Sequence, residues 1–508
     1  MATTMSSMGW AASSLAVMLA GCQSGYRTNA RNVSEALQKG EYSLAADQAT
    51  AFIQQADSRD KVAVLMEAGR SCQLSGDLAL SIAHYDAADE LLRPYLQAKP
   101  EALVSEVVSA TLVNQTMSTY RGTPGERIML STMQALNRLA AGDLANARID
   151  LNRAHDWQQA AVARYQDEIT KQQAAMTAES AKRKTDVSHI EHPKLASIAE
   201  SVEDRRGYAD FANPFSTYLR GVFLMATSTE AGDLANARTD LRNCVAMVPA
   251  AAPVVAADLA RLDAARRGDA VPTTWVFLLS GLAPHYEELR LDIPIPYGQM
   301  PYVSAAFPVF KPGLAGVDGF KVLAGDTDVN GVMLCDMNEI AGHEYKLRLP
   351  GVIVQEVATS AVKAAATWGA SRAARSGGDA ATAAGIVMLV GLIYQASSTA
   401  ADLRCWHTMP QRIDVASMPT PADGKIRLLS AAGQELADVE VDALRNNIVA
   451  VNLPSGTAVP AVQYARLNGP LESTIVAMTI QPPPVADSTP KVSVPAGRRR
   501  VIPRNVSP

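Results

Sequence analysis

The densest group of side chains that could do chemistry spans the six residues from 402 to 407. Asp402, Arg404, Trp406 and His407 bring together a carboxylate, a guanidinium, an indole and an imidazole. A carboxylate and an imidazole can transfer protons, and a guanidinium can bind an anionic group. The alternative, which we favour, is a helix end before Pro410, with Trp406 packed and Asp402 and Arg404 in solvent. The functional interpretation of this group is a docking surface for a partner.

A second group matches the opening of a calcium-binding loop. Asp326, Asp328 and Asn330 place oxygen ligands at alternate positions, and Gly331 follows where such a loop turns sharply. The twelfth position holds Met337 instead of a bidentate Glu, so the ligand set is incomplete. A hairpin turn is the simpler interpretation, because Asp, Asn and Gly favour turns. We therefore predict no metal site and retain Asp326, Asp328 and Asn330 only as metal candidates.

Other catalytic signatures are missing from the sequence. His189 and His192 lie in a polar connector, and His343–Glu344 lacks the second histidine of a zinc protease. No GxSxG elbow, phosphate-binding loop or GxGxxG is present. We expect a protein that is not an enzyme and that holds no cofactor. An enzyme with its site among the C-terminal strands, near Asp402, remains the alternative.

Composition excludes several classes of protein. The 508 residues are 48% hydrophobic and 19% charged, with 46 basic and 51 acidic side chains and a net charge of −5. The chain is therefore not disordered as a whole, and it has no overall positive charge with which to bind nucleic acid. Five cysteines are too few for a disulfide scaffold. The spacings of Cys72, Cys244, Cys335 and Cys405 fix no pairing, and buried free thiols are the simpler expectation.

The N-terminal residues predict localisation to the cell envelope. Residues 10–21 form a short apolar run that ends at Cys22, which is typical of a secretory signal. This end resembles the lipobox of bacterial lipoproteins, and the resemblance implies that Cys22 is acylated and anchors the protein in a lipid bilayer. Gln23, in place of Asp, implies sorting to the outer membrane. We predict a signal peptide over residues 1–21 and a tether over 22–32.

An internal repeat organises the first half of the chain. The eight residues Ala141–Arg148 recur letter for letter at Ala231–Arg238, and weaker copies begin near Gly40 and Gly76. The spacings fit a unit of about 34 residues, which is typical of stacked helix-turn-helix repeats. We predict a helical repeat domain over residues 33–270.

The repeat units share a helical stripe on which a small, a large and a small residue follow each other. These triplets are Ser81, Tyr85 and Ala88; Ala147, Leu151 and Ala154; and Ala237, Leu241 and Cys244. They resemble the second helix of a tetratricopeptide repeat, whose small first-helix position is matched by Gly69 and Ala135 but not by Met225. The resemblance implies an extended surface for a partner protein, centred on Tyr85 and Leu151. A polar helix and loop over residues 158–210 would project from this array.

After residue 270 the pattern changes to short apolar runs separated by Pro and Gly. Residues 275–279 predict a buried strand, and Lys321–Leu323 with Val332–Leu334 would form a hairpin. Ala-rich segments over about 352–401 predict an inserted helical hairpin. We predict an α+β domain over residues 271–480, so the fold class is multidomain, with α followed by α+β.

Two segments of the second half could contact a membrane. Residues 380–401 are uncharged and long enough to cross a bilayer, but their strongly apolar part is shorter, and we favour burial. From residue 481 the chain is Pro-rich and then basic. Its basic residues are Lys491, Arg498, Arg499, Arg500 and Arg504. We predict a disordered tail over 481–508 that either solubilises the protein or contacts anionic wall polymer or lipid.

The whole arrangement resembles a family of uncharacterised bacterial envelope lipoproteins that contain tetratricopeptide repeats. The residues that carry the resemblance are Glu126–Arg127, Ala135–Asn137, Gly142–Asp143, Asn213–Phe215, Tyr218–Leu219, Gly221, Gly281–Pro284, Asp292–Pro296 and Ala401–Pro410. The resemblance implies a periplasmic scaffold, anchored in the inner leaflet of the outer membrane, that binds envelope proteins through its repeats. A peptidoglycan-binding or wall-synthase-regulating protein stays open as the alternative.

Overall fold

Helices fill the first half of the structure. In the computed structural model the described residues are 25–97, 118–182, 193–208, 211–294, 302–353, 356, 360 and 400–467. The helices of this half are α1 (residues 25–38), α2 (Tyr42–Gln55), α3 (Lys61–Ser75), α4 (Leu78–Gln97), α5 (Pro124–Ala140), α6 (Leu144–Lys182), α7 (Pro193–Glu200), α8 (Pro214–Thr227), α9 (Ala231–Met247) and α10 (Ala252–Arg267). Strands begin at residue 273, so the predicted order of α followed by α+β is confirmed.

Consecutive helices pack as hairpins: α3 lies against α2 and α4, α5 against α6, and α8 against α9. The turns into α2, α4 and α6 contain Gly40, Gly76 and Gly142, with φ of +76°, +91° and +76°. This left-handed backbone is strained for any residue with a Cβ, which explains the glycines that punctuate the repeat. All nine residues of the small–large–small triplets are buried, so the stripe faces the interior of the protein.

The hairpins interlock because a small residue on one helix meets a large one on the next. A Cβ at Gly69 of α3 would lie 2.3 Å from Cδ1 of Tyr85 in α4. A Cβ at Gly221 of α8 would lie 3.2 Å from Cγ of Leu241 in α9. Gly221 therefore supplies the small residue that the sequence pattern sought one helical turn later, at Met225. The register differs because α8 ends three residues before the second octapeptide, whereas α5 ends directly before the first.

The two identical octapeptides begin with different backbones. In the first copy Gly142 turns the chain, and α6 starts only at Leu144. In the second copy α9 already starts at Ala231, and Gly232 lies inside its first turn. The same eight residues thus form a turn where a helix ends directly before them. They start a helix where three residues separate them from the preceding helix.

Helix α6 is much longer than its partner α5. It has 39 residues against 17, which at 1.5 Å per residue gives a length of about 58 Å. Residues 158–182, which the sequence assigned to a projecting helix, are the second half of α6. Residues 183–192 of the predicted loop lie outside the described residues.

The described residues of the second half form two sheets, a hairpin and one helix. The strands are β1 (Thr273–Ser280), β2 (His285–Pro294), β3 (Tyr302–Lys311), β4 (Phe320–Ala324), β5 (Thr327–Asn330), β6 (Val332–Asp336), β7 (Arg412–Pro419), β8 (Lys425–Ser430), β9 (Glu435–Glu440), β10 (Asn447–Leu453) and β11 (Ala461–Arg466). The first sheet has the order β11-β10-β1-β7-β6, and the second has the order β5-β4-β8-β9. Strands β2 and β3 pair as a hairpin, and α11 covers residues 337–353.

The first sheet lies between the helices and the second sheet. Side chains along β1 alternate between the two sides. Trp275 and Phe277 pack into the same hydrophobic cluster as α3, α5 and α8. Val276 and Leu278 pack against residues of the second sheet. The helical half and the sheet half therefore share one core, in the order helices, sheet, sheet.

Several predicted segments fall outside the described residues. They are the signal peptide over 1–21, Cys22, most of the helical hairpin over 352–401, and the tail over 481–508. Among the residues that the structure does describe, no helix combines the length and the apolar character needed to cross a membrane.

The Gly69–Tyr85 contact gives a first prediction. Gly69→Ala should lower the free energy of unfolding by about 1–3 kcal/mol, because its methyl group overlaps the Tyr85 ring. The matched control is Gly232→Ala, where a Cβ meets nothing within 4 Å. The control should leave the free energy of unfolding unchanged or raise it by up to about 1 kcal/mol. Urea unfolding followed by circular dichroism measures both, and equal stability of the two variants would contradict the interlock.

Candidate functional site

The predicted cluster at 402–407 lies in a connector without helix or strand, here called the Trp406 segment (residues 401–411). It runs between the helical half and the sheet half and leads into β7. The expectation of a helix end at this point is wrong. Backbone amides in such a segment have no helical or strand partners, so they need acceptors from elsewhere in the protein.

Two buried glutamates supply those acceptors. The backbone N–H of Trp406 donates to Oε1 of Glu126 over 2.7 Å. The N–H groups of His407 and Thr408 donate to Oε1 and Oε2 of Glu67 over 2.7 and 3.1 Å. Glu67 lies in α3 and Glu126 in the first turn of α5. Two helices of the array therefore hold three consecutive amides of the segment.

The local sequence fixes Glu126 in place. Thr123 caps α5, with its hydroxyl accepting from the N–H of Glu126 and its own N–H donating to Glu126 Oε2 over 2.8 Å. This is a capping box, which the pattern Thr-Pro-Gly-Glu favours. The hydroxyl of Tyr120 also donates to Oε2. Glu126 thus caps its own helix with one oxygen and binds the segment with the other.

Arg404 is bound internally and does not lie in solvent. Its Nε and Nη2 donate to the two carboxylate oxygens of Asp402 over 2.8 and 2.7 Å. Its Nη1 donates to Asp60 Oδ1 over 3.0 Å and to the Ser118 carbonyl oxygen over 3.0 Å. The guanidinium also stacks over the ring of Tyr120. The expectation that Asp402 and Arg404 are solvated is therefore wrong, because the pair ties the segment to the helices.

The aromatic residues of the segment are anchored in the same way. The buried indole of Trp406 meets the ring of Tyr85 edge to face, with 5.7 Å between centroids. The hydroxyl of Tyr26 in α1 donates to the carbonyl oxygen of Cys405 over 2.6 Å. Burial lowers the pKa of His407 to about 3. The imidazole is therefore neutral at physiological pH and is not a general acid there.

A small cavity lies beside the segment. Its volume is about 20 Å³, and Glu126, Glu344, Cys405 and Trp406 are among its lining residues. Such a volume has room for about one water molecule. Glu344 of α11 accepts from the N–H of Gly125 over 2.7 Å with Oε1, while its buried Oε2 makes no hydrogen bond of good distance and angle with a described residue. A cavity of this size cannot admit an organic substrate.

Burial of these carboxyls disfavours their charged forms. It raises the pKa of Glu67 to about 8 and that of Glu344 to about 7, against an ordinary value near 4.5. For Glu67 the hydrogen bonds from His407 and Thr408 act in the opposite direction but do not outweigh burial. Both groups therefore take up protons within the physiological pH range.

The two repeat residues predicted to bind a partner are buried. Tyr85 and Leu151 are 0% and 1% exposed, so a partner cannot contact these side chains directly. Their burial corrects the expectation that they form an open binding surface. The reason is that the sheet half covers the face of the array on which Tyr85 lies.

The calcium-loop residues form a strand in place of a loop. Asp328 and Asn330 lie in β5, which pairs with β4, and Asp326 lies in the turn between these strands. Lys321 in β4 donates to Asp328 Oδ2 over 3.4 Å. The predicted hairpin partner, β6, pairs with β7 instead. Within the described part of the chain, no group of three or more His, Cys, Asp or Glu side chains is placed to hold a metal ion.

Sequence reasoning missed the three glutamates that organise this site. Glu67 is the only acidic residue in α3, a helix whose residues from Val62 to Leu74 are all buried. A single carboxylate in such a run is a usable signal, because buried carboxylates need partners. The capping box at Thr123 was the corresponding signal for Glu126. Nothing local marks Glu344.

Comparisons with known proteins add no assignment. No protein-family model matches the chain, no curated protein is similar to it, and no solved structure is similar to it. Function must therefore be inferred from the contacts within the chain itself.

Glu344 gives a prediction about pH. Its raised pKa means that the folded state binds a proton that the unfolded state releases between about pH 4.5 and 7, so stability falls as the pH rises through this range. Glu344→Gln keeps an acceptor for Gly125 and removes the charge. The variant should match the natural protein at pH 5 and exceed its free energy of unfolding by about 1–3 kcal/mol at pH 8.

Chemical unfolding from pH 5 to pH 8 measures this effect. The control is Glu200→Gln on the exposed side of α7, which should leave the pH profile unchanged. A Glu344→Gln profile parallel to that of the natural protein would show that Glu344 does not contribute.

Proposed function

We propose that this protein is a lipid-anchored periplasmic scaffold of the bacterial envelope that binds other envelope proteins and carries out no reaction. The observation that carries the proposal is that the side chains of the Trp406 segment are bound within the protein. Its charged, aromatic and imidazole groups bind other parts of the same chain, which leaves them occupied instead of presenting them to a substrate. Such a cluster serves assembly of the protein better than catalysis.

The helical half supports a tetratricopeptide-like array. Helices pack as consecutive hairpins, glycines with positive φ begin three of the second helices, and small residues on first helices meet large ones on second helices. The Gly69–Tyr85 and Gly221–Leu241 contacts follow this pattern. Arrays of this kind act as binding surfaces for other proteins.

The first helices of the hairpins are occupied by the protein's own sheet half. Tyr26 in α1 binds the Cys405 carbonyl, and Glu67 in α3 and Glu126 in α5 bind the following amides. Phe215 in α8 meets Phe277 of β1 edge to face, with 5.4 Å between centroids. A partner must therefore use another face of the array.

The second helices provide that face. Among the described helices, the exposed large hydrophobic side chains are Leu44 in α2, Leu91 in α4, and Ile149 and Val162 in α6. All four belong to second helices of hairpins. We propose this outer face as the contact surface for an envelope protein, with acylated Cys22 holding the scaffold at the membrane.

The alternative is a peptidoglycan-binding or wall-synthase-regulating protein, or an enzyme with a site in the sheet half. No contact among the described residues favours it over the scaffold. The basic tail over 481–508 is the segment with the charge to bind anionic wall polymer or lipid. Recovery of wall fragments in the experiment described below would favour this alternative.

The membrane anchor is tested by changing its cysteine. Cys22→Ala should move the protein from the membrane fraction to the soluble fraction, because the acyl chains supply the membrane affinity. Cys72→Ala is the matched control, since Cys72 is buried in α3 and should leave the protein in the membrane fraction. Fractionation and immunoblotting measure both, and a membrane-bound Cys22→Ala protein would rule out the lipoprotein assignment.

The partner surface is tested by crosslinking inside cells. A photoreactive amino acid at Leu91 or Ile149 should crosslink one envelope protein, which mass spectrometry identifies from a tag placed after Pro508. The matched control is position 444, where Leu444 is 84% exposed but lies in the sheet half. Leu91→Asp combined with the probe at Ile149 should reduce the yield several-fold without changing the melting temperature. Equal crosslinking from position 444 would contradict the proposed face.

A further inference from the structure

Arg70 is a buried cation for which the described residues provide no counter-ion. It lies in the middle of α3 and is 1% exposed. Its only hydrogen bond within the described part of the chain runs from Nη1 to Gln73 Oε1 over 2.6 Å, and its buried Nε has no acceptor. No carboxylate in that part of the chain forms an ion pair with it. A guanidinium keeps its charge in proteins, so this charge cannot be removed by losing a proton.

The groups around Arg70 are polar but neutral. Burial raises the pKa values of Tyr42 and Tyr85, the two titratable groups that act on Arg70, far above the physiological range. Glu67 lies one helical turn away but turns its oxygens to His407 and Thr408. Within the described part of the chain, no negatively charged group therefore binds Arg70.

Other polar atoms near Arg70 also lack partners. The hydroxyl of Tyr85 is buried and makes no hydrogen bond to any described residue. Gln73, the partner of Arg70, donates to Asn137 Oδ1 over 2.7 Å, and Gln463 of β11 donates to the same oxygen over 3.0 Å. In the part of the chain that the structure describes, the buried Oε1 atom of Gln463 has no partner. Several groups that normally bind something are thus collected where α3, α4 and α5 meet the sheet half.

The buried guanidinium of Arg70 needs a partner that carries negative charge. An unpaired charge in a protein interior is strongly unfavourable, and a guanidinium binds anions through charge-assisted hydrogen bonds. Water can accept hydrogen bonds but cannot neutralise the charge. A carboxylate of another protein cannot reach the guanidinium, because both Arg70 and Tyr85 are buried. Only an ion of very few atoms fits these conditions.

We propose that Arg70 binds a small monovalent inorganic anion of the chloride class, with its Nε–H group and the Tyr85 hydroxyl as donors, since both lack a partner among the described residues. The anion neutralises the buried charge at the contact between the helical half and the sheet half. Because the buried site exists only in the folded protein, the anion stabilises the folded state more as its concentration rises.

The test is the chloride dependence of the melting temperature at constant ionic strength. Sodium chloride replaces sodium gluconate, whose anion is too large for a buried site, in the full chain. The natural protein should show a melting temperature that rises and saturates with chloride. Arg70→Met should abolish this rise, and Tyr85→Phe should raise the half-saturating chloride concentration several-fold while keeping the ring against Trp406.

Two further measurements keep the test decisive. Arg148→Met removes an exposed guanidinium that is paired with Asp233 at 2.8 Å, and it should retain the full chloride response. If Arg70→Met fails to fold, crystals of the natural protein grown with sodium bromide should show an anomalous peak within hydrogen-bonding distance of the Arg70 guanidinium. A melting temperature that is identical in chloride and gluconate, or a bromide map with only water at Arg70, would overturn the proposal.

Discussion

The structure depends on two carboxylates that accept hydrogen bonds from three consecutive backbone amides. Glu67 and Glu126 belong to helices, while the amides of Trp406, His407 and Thr408 belong to a segment without secondary structure. A buried amide without an acceptor is costly, and so is a buried carboxylate without donors. The glutamate side chains therefore need the amides as donors, and the amides need the glutamates as acceptors. These hydrogen bonds fix how the sheet half lies against the helices.

The shared hydrophobic core also holds the two halves together, through apolar side chains. Trp275 and Phe277 of β1 lie in one hydrophobic cluster with α3, α5 and α8, and the indole of Trp275 donates to Asp258 of α10 over 3.1 Å. Neither half can leave the other without exposing this surface to water. The helices that would form an open binding groove in an isolated array are internal in this protein. We therefore place the proposed contact surface on the second helices.

Local features of the fold were predictable, and long-range contacts were not. The buried triplets around Tyr85, Leu151 and Leu241 follow from helical periodicity, and the strand at 275–279 follows from its apolar run. The contacts of Glu126 with Trp406 and of Glu67 with His407 join residues 280 and 340 positions apart, so no local pattern records them. The octapeptide shows the same limit at short range, because its second copy starts a helix where its first copy makes a turn.

The order of the strands has a consequence for how the protein is made. At the centre of the first sheet β1 pairs in parallel with β10, so Val276 lies beside Val449, near the end of the described chain. Synthesis proceeds from the N-terminus, and the helices are complete long before β10 exists. Contacts of such high sequence separation form slowly. A chain that stops before residue 447 therefore leaves the edge of β1 that pairs with β10 without its partner, and unpaired strand edges favour aggregation or the need for a chaperone.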